Sequence, residues 1–319
     1  MPPQAKFEII RNTIECDNNV LSISRLCEIA GVSRSGYYAW VNAAPKRAER
    51  EEHDKEDFDK ILEAYKYRGY AKGARSIYMH LLHKRTIINL KKIRRLMKKY
   101  GLKCPYRQPN PYRQMQRNMR TNTVFANEVN REFFKSGPRK VLLTDITYLF
   151  YDNKVCYLST ILDAFTREIL AYKLSRNLQV EFVILTVDKL IKEYGCELDD
   201  TTIVHSDQGC HYTSKAFIKA IHENSLIQSM SRKGNCWDNA PQESFFGHMK
   251  DEIKYEISKS ETFDKVQTIV DDWIDYYNND RYQWDLAKLS PREYMEYVTT
   301  GIYPLKRYQQ RGSAPNPGV

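Results

Sequence analysis

The chain has 319 residues, 42% hydrophobic and 28% charged, enough for two or three globular domains with at least one substantial core. It contains no apolar run of about 18 residues, and MPPQAKFEIIRNTIECD lacks the features of a secretory signal, so neither a membrane span nor export is expected. Its seven cysteines are scattered and form no CxxC pair, which favours reduced thiols in a cytoplasmic protein over a disulfide frame or a zinc knuckle.

The net charge of +10 is unevenly spread. Residues 1–140 carry a balance of +16 and residues 141–319 a balance of −6. A basic front and a mildly acidic back suggest polyanion binding in front and chemistry behind, with a solvated basic surface as the plainer alternative.

Residues 1–50 read as a helix-turn-helix DNA-binding domain. In LSISRLCEIAGVSRSGYYAWVN (21–42), Leu26, Ile29 and Ala30 fall on one helical face. Gly31 suits the positive φ of a tight turn, and Ser33 can cap the next helix. Arg34, Ser35, Tyr37 and Tyr38 then lie near the end that a recognition helix offers to base edges, so Arg34, Ser35 and Tyr37 are candidate DNA contacts.

Residues 51–103 read as a second helical, helix-turn-helix-like DNA-binding domain. In NLKKIRRLMKKYGLK (89–103), Leu90, Ile93, Leu96 and Met97 form an apolar stripe, and Gly101 stops the helix. The cations opposite repel one another unless neutralised, so Arg94, Arg95 and Lys98 are candidate phosphate contacts. His80 and His83 share a face without a third ligand, and no metal is expected there. Residues 104–139, rich in Pro, Asn, Gln and Arg, read as a basic linker.

From residue 140 the period changes to strands. VLLTDITYLFY (141–151), a turn at Asp152-Asn153, KVCYLSTILDAF (154–165), a turn near Thr166-Arg167 and EILAYKLS (168–175) predict a three-stranded meander. Then come a helix over about 179–194, strand 202–206, helix 213–224, strand 226–230, a helix from near 239 and another over about 262–280. This order is that of an α/β, RNase H-like fold, assigned to residues 140–300, with 301–319 as a C-terminal tail. By analogy with that fold, its first and fourth strands are neighbours, which brings Asp145 and Asp207 together with the helix of Glu243 across their edge.

Three carboxylates stand out. Asp145 lies inside an apolar strand, Asp207 ends TTIVHSD (201–207), and Glu243 opens PQESFFGHMKDEI (241–253). A carboxylate among Leu, Ile and Tyr is costly without a cation, and magnesium prefers a few carboxylate oxygens. Two such ions can hold the attacking and leaving oxygens of a phosphodiester, which points to phosphoryl transfer on nucleic acid. Asp163 is expected to turn a hairpin and Asp238 to cap the Glu243 helix.

TDITY (144–148), HSDQGCHYTS (205–214) and MSRKGNCWDNAPQESFFGHMK (230–250) closely resemble the integrase-like core of bacterial transposases. With YYNNDRYQW (276–284) and LSPREY (289–294), they match the insertion-sequence-three family and its second open reading frame product, over about residues 20–295. The resemblance implies a retroviral-integrase-like catalytic core, behind all-α helix-turn-helix domains, that cleaves and transfers DNA strands. Asp145, Asp207 and Glu243 would be the catalytic and metal-ligating residues, holding two Mg2+ ions, with Mn2+ able to substitute. Lys250, two helical turns past Glu243, would contact DNA near the scissile phosphate. Arg232, Lys233 and Asn239 would contact DNA from an active-site loop, and His205 and Gln208 would line the pocket. Leu142 and Gln283 depart from the family pattern without removing a ligand.

The implied partners are double-stranded DNA (the element's terminal inverted repeats and a target) and further copies of the chain, at least a dimer on DNA. An upstream helix-turn-helix partner or fusion is a further one. The setting would be bacterial cytoplasm, at the nucleoid. The rival readings are an RNase H-like nuclease without strand transfer and a non-enzymatic DNA-binding regulator derived from a transposase.

Overall fold

The computed structural model describes residues 1–105, 137–231 and 240–305. The chain divides into two compact units, Met1–Leu62 and Glu63–Val319. The boundary expected between residues 50 and 51 falls inside one uninterrupted helix, Ala44–Lys66. No helix among the described residues is long and apolar enough to cross a membrane.

The first unit begins with a helix that the sequence reading did not anticipate, α1 (Pro3–Ile14), opened by proline in its first turn. It is followed by α2 (Ile23–Ala30), α3 (Arg34–Asn42) and α4 (Ala44–Lys66). Gly31 ends α2 at φ 62°, and Ser33 caps α3 by accepting from the Gly36 N–H. Leu26 and Cys27 are buried, whereas Ile29 is 64% exposed and does not share the apolar face expected for it. Tyr37 is also an inward residue, packed against Phe7 and Trp40.

In the second unit, α5 (Ala74–His83) packs with α6 (Leu90–Lys99) and, through Tyr78 and Leu82, with Leu289, Tyr297 and Tyr303 near the C-terminal end of the described residues. Ile93, Leu96 and Met97 form the buried stripe of α6, and Arg94, Arg95, Lys98 and Lys99 are exposed. His83 Nε2 bonds Glu293 at 3.1 Å, and its ring stacks on Tyr282. His83 is thus held between Glu293 and the Tyr282 ring.

The sheet comprises β1 (Val141–Tyr151), β2 (Lys154–Asp163), β3 (Ile169–Ser175), β4 (Ile203–Ser206) and β5 (Ile227–Met230), in spatial order β3-β2-β1-β4-β5. β1, β2 and β3 pair antiparallel, while β1–β4 and β4–β5 are parallel. Positive φ at Asp152 and Asn153 closes the expected two-residue hairpin. Helices α7 (Val180–Tyr194) and α8 (Lys215–Glu223) cover one face, packing on Leu142, Ile161 and Val204. Helices α9 (Ala240–Ser258) and α10 (Phe263–Asn279) cover the other, packing on Leu143, Leu149, Leu158 and Leu162. Burial on both faces is why these strands read as nearly continuous apolar runs. A final helix, α11 (Pro291–Thr300), begins with a Ser290–Glu293 capping box.

Two polar knots hold the second unit. Trp273 Nε1 donates to Glu252 at 3.0 Å, and Arg281 pairs with the same carboxylate at 2.8 Å, tying α9 to α10. Arg139, nearly buried, bonds Asp163, Glu168 and Glu197 at 2.8–3.1 Å. Asp163 also accepts from the Phe165 N–H, so it shapes the β2–β3 turn as expected while serving as a buried counter-ion. This is an α/β core of RNase H-like strand order, with helical modules ahead of it.

Candidate active site

Side chains alternate along a strand, so Asp145 projects from the same face as Leu143 and Leu149, the one covered by α9. Asp145 sits opposite Thr160 of β2. The parallel ladder with β4 ends at Leu143 opposite His205. Two residues further along each strand lie Asp145 and Asp207, at matching register. Neighbouring strands run about 4.8 Å apart, so these carboxylates start from closely spaced backbones.

The Asp207 carboxylate accepts from the Gly209 N–H at 2.9 Å and turns the chain away just past β4. A Cβ on residue 209 would lie 2.9 Å from that carboxylate oxygen, so glycine is the residue this close turn accommodates. His205 is buried and bonds Ser229 at 3.0 Å, and Gln208 donates to the Ser231 carbonyl at 3.0 Å. Both brace the strand end that carries Asp207.

Glu243 lies exposed in the first turn of α9. Phe245, Phe246, Met249 and Ile253 of that helix are buried on the Asp145 face of the sheet. The preceding residue, Gln242, is fully buried and donates its side-chain N–H to the Thr160 hydroxyl. Because Thr160 faces Asp145 across the β1–β2 ladder, this bond fixes the start of α9 beside Asp145. Lys250 is exposed two turns further along the same helix.

Electrostatics join these groups. The Asp145 carboxyl is pushed up to about 6, first by burial and then by the negative charges of Asp207 and Glu243. The Ile146 N–H, donating at 2.7 Å, and the Lys250 ammonium act in the opposite direction. Lys250 is itself lowered, mainly by desolvation, while Asp145 partly restores it. The Tyr212 hydroxyl is held well above its ordinary value by burial, with smaller contributions from Asp145 and Asp207.

Asp145 thus senses two further acids and a lysine. As placed, no three His, Cys, Asp or Glu side chains among the described residues stand close enough to hold a metal ion. The donor chemistry nevertheless suits a hard cation. It offers only carboxylate oxygens, and Asp145 bears a desolvation and like-charge penalty that a divalent ion would relieve.

Arg34 and Ser35 are exposed at the start of α3, and Arg94, Arg95 and Lys98 are exposed on α6. Tyr37 is 5% exposed, filling the core of its unit, and the neighbouring Tyr38 presents the solvent-facing ring. That corrects the assignment of Tyr37 as a DNA contact. Arg232, Lys233 and Asn239 lie outside the described residues, as do Trp237 and Asp238. Gln242 and Thr160 escaped the sequence reading, because neither residue type carries a signal until the strand register is known.

Comparisons with known proteins converge on one family. Residues 135–236 and 224–291 match integrase core domain families, and residues 52–110 match an HTH-like domain. A transposase-like protein of Haemophilus influenzae is 36% identical over 208 residues, covering 65% of this chain and 93% of its own. The 31 kDa protein of insertion element IS600 from Shigella sonnei is 30% identical over 275 residues, covering 85% and 97% respectively. Transposase InsF of insertion sequence IS3A from Escherichia coli K12 is 26% identical over 291 residues, covering 88% and 96%. With an integrase core behind an HTH-like module, and kinship over nearly the whole length of these relatives, the chain belongs to the insertion-sequence-three (IS3) family of transposases.

Proposed function

We propose that the chain is a metal-dependent polynucleotidyl transferase that cuts DNA at the ends of an insertion element and joins the freed strand to a second phosphodiester. The observation that supports this reading is the matching register of Asp145 and Asp207 on adjacent strands, beneath the helix of Glu243, with Asp145 raised chiefly by burial and further by the two other acids. These three residues would hold two Mg2+ ions. Bound there, magnesium supplies Lewis-acid activation of the attacking oxygen and charge neutralisation of the leaving one.

The chain's own groups do the rest. Asp145 anchors the site from a strand paired along its length with β2. Gln242 and Thr160 hold the start of α9 beside β2, from which Glu243 would complete the site. Lys250, close enough to sense Asp145, places a positive charge where the DNA backbone would lie. No side chain is asked to form a covalent intermediate; catalysis is positioning and charge neutralisation. Arg34 and Ser35, and separately Arg94, Arg95 and Lys98, would grip the duplex. Two element ends must meet, so at least two copies would act together, on nucleoid DNA in the cytoplasm.

Glu243→Gln tests the reading directly. With labelled duplex ends and Mg2+, the variant should bind DNA as the parent does and show neither cleavage nor joining. Retained metal-dependent strand transfer would refute the assignment, and hybrid cleavage without joining by the parent would point to a ribonuclease.

A further inference from the structure

The segment that joins α10 to α11, within the unit Glu63–Val319, presents Trp284 with 40% of its surface open to solvent. The other two described tryptophans are not presented in this way: Trp273 is fully buried and Trp40 is half-buried. Trp284 rests against Tyr78 of α5, their ring centroids 6.2 Å apart. A large aromatic ring left partly in water gives up part of the free energy that burial would supply.

Two cations converge on this ring. The Arg75 guanidinium lies 5.3 Å from the ring centroid and the Lys288 ammonium 5.4 Å. Neither makes an ion pair with a carboxylate among the described residues, and the neighbouring Asp285 carboxylate pairs instead with Arg167 at 3.7 Å. The ring's quadrupole offsets only part of the repulsion between two such charges. Both cations stand farther from the centroid than the roughly 3.5–4.0 Å of a group lying flat on the ring. They flank the indole and do not seal it.

The backbone that carries the ring is held under strain. Ala287 and Lys288 are consecutive non-glycine residues at φ 54° and 67°, a left-handed conformation that side chains disfavour. The Gln283 carbonyl accepts from the Leu286 and Lys288 N–H groups, the Gln283 N–H donates to the Leu289 carbonyl, and the Tyr303 hydroxyl donates to the Ala287 carbonyl. Leu286 and Leu289 are buried beneath the turn. Backbone strain of this kind persists where the surroundings over-determine it, and it gathers at binding sites.

A planar ring open to water between unneutralised cations suits a planar group joined to anions, as a nucleobase is joined to its phosphates. Inside a duplex the base faces are already stacked on one another. Only an unpaired nucleotide offers a free face to an aromatic side chain. We propose that Trp284 is a stacking platform for an unpaired nucleotide at a DNA end, with Arg75 and Lys288 taking the phosphates beside it. The inference rests on the DNA-transposase reading above and adds to it a preference for ends that carry unpaired bases.

The test uses the full chain without divalent cation and one duplex prepared two ways, blunt or with a short single-stranded overhang. The parent should bind the overhanging duplex about tenfold more tightly, and its tryptophan emission should fall as it does so. Trp284→Ala should lose that preference and most of the quenching, while affinity for the blunt duplex changes far less. Trp284→Phe, which keeps an aromatic face, should retain part of the preference. Lys288→Gly spares the fold, because φ 67° suits glycine. Its melting temperature should hold or rise, and the slope of log affinity against log salt for the overhanging duplex should shrink by about 0.7.

Equal affinity of the parent for blunt and overhanging ends would overturn the proposal, as would an undiminished preference in a folded Trp284→Ala protein. Should that variant fail to fold, an unchanged salt slope in Lys288→Gly would overturn it instead. A parent chain that binds neither duplex would tell against the transposase reading itself, so the two failures are distinguishable.

Discussion

Replacing Asp145 by Asn should make the metal-free protein more stable at neutral pH while removing its chemistry. The carboxyl is raised from 3.8 to about 6 in the folded state, so the native protein holds that proton more tightly than the unfolded chain does. Stability therefore falls as pH rises from about 4 to about 6 and levels off beyond. Roughly two pKa units at 1.36 kcal/mol each set a ceiling of about 3 kcal/mol. Asparagine keeps an oxygen to accept the Ile146 N–H and has no charge to desolvate. At pH 8 the variant should exceed the parent by about 1–3 kcal/mol, or about 2–4 °C of melting temperature per kcal/mol. The assay is a pair of thermal melts in chelator at pH 8 and pH 4.5, where much of the gap should close. Adding Mg2+ at pH 8 should raise the parent more than the variant. A variant less stable than the parent at pH 8, or a gap independent of pH, would refute the electrostatic account of this site.

Gln242→Leu leaves the Thr160 hydroxyl buried without its donor and should cost about 1–3 kcal/mol in urea unfolding, with strand transfer falling further than the stability loss explains. Gly209→Ala forces the Asp207 carboxylate aside. It should lower Mg2+ affinity about 10–100-fold in a calorimetric titration while changing the melting temperature little. Arg139→Met strands Asp163 in the interior, leaves Glu168 to Arg292 alone, and should cost about 3–5 kcal/mol. Burial raises the Asp163 carboxyl and Arg139 opposes that, so without the cation Asp163 rises further and the deficit should be larger at pH 8 than at pH 5; an equal deficit at both would contradict that origin.

The strands and the acids were legible because each rests on a local contradiction of pattern. A lone carboxylate inside VLLTDITYLFY and a strand ending in HSD are visible without knowing any partner. The hairpin at Asp152-Asn153 was equally legible, since few residue pairs accept two positive φ values. Tyr37 was misread because it and Tyr38 are adjacent, and only their angular separation on α3 decides which one faces inward. That direction is set by Phe7, on a helix whose start has no side-chain cap to announce it. The Ser290–Glu293 capping box was readable and went unread. The docking of Tyr70 and of α5 against the C-terminal helices rests on pairs such as Tyr70 with Asp272 and His83 with Glu293. Polar partners some 200 positions apart leave no periodic trace in a single sequence.

The point at which the β1–β4 ladder stops has a consequence for how such an enzyme idles. Asp145 is backed by a hairpin partner through Tyr151, whereas Asp207 hangs just beyond a four-residue strand and Glu243 occupies a helix's opening turn. Helix ends and short strand tips open at lower free energy than central ladders. One acid thus lies mid-ladder and two lie at element ends, and on the function proposed above the last approach of their side chains would fall to the arriving substrate and ion. On that reading, an enzyme whose cutting groups close only around substrate and ion would be restrained in a cell full of its own host's genome.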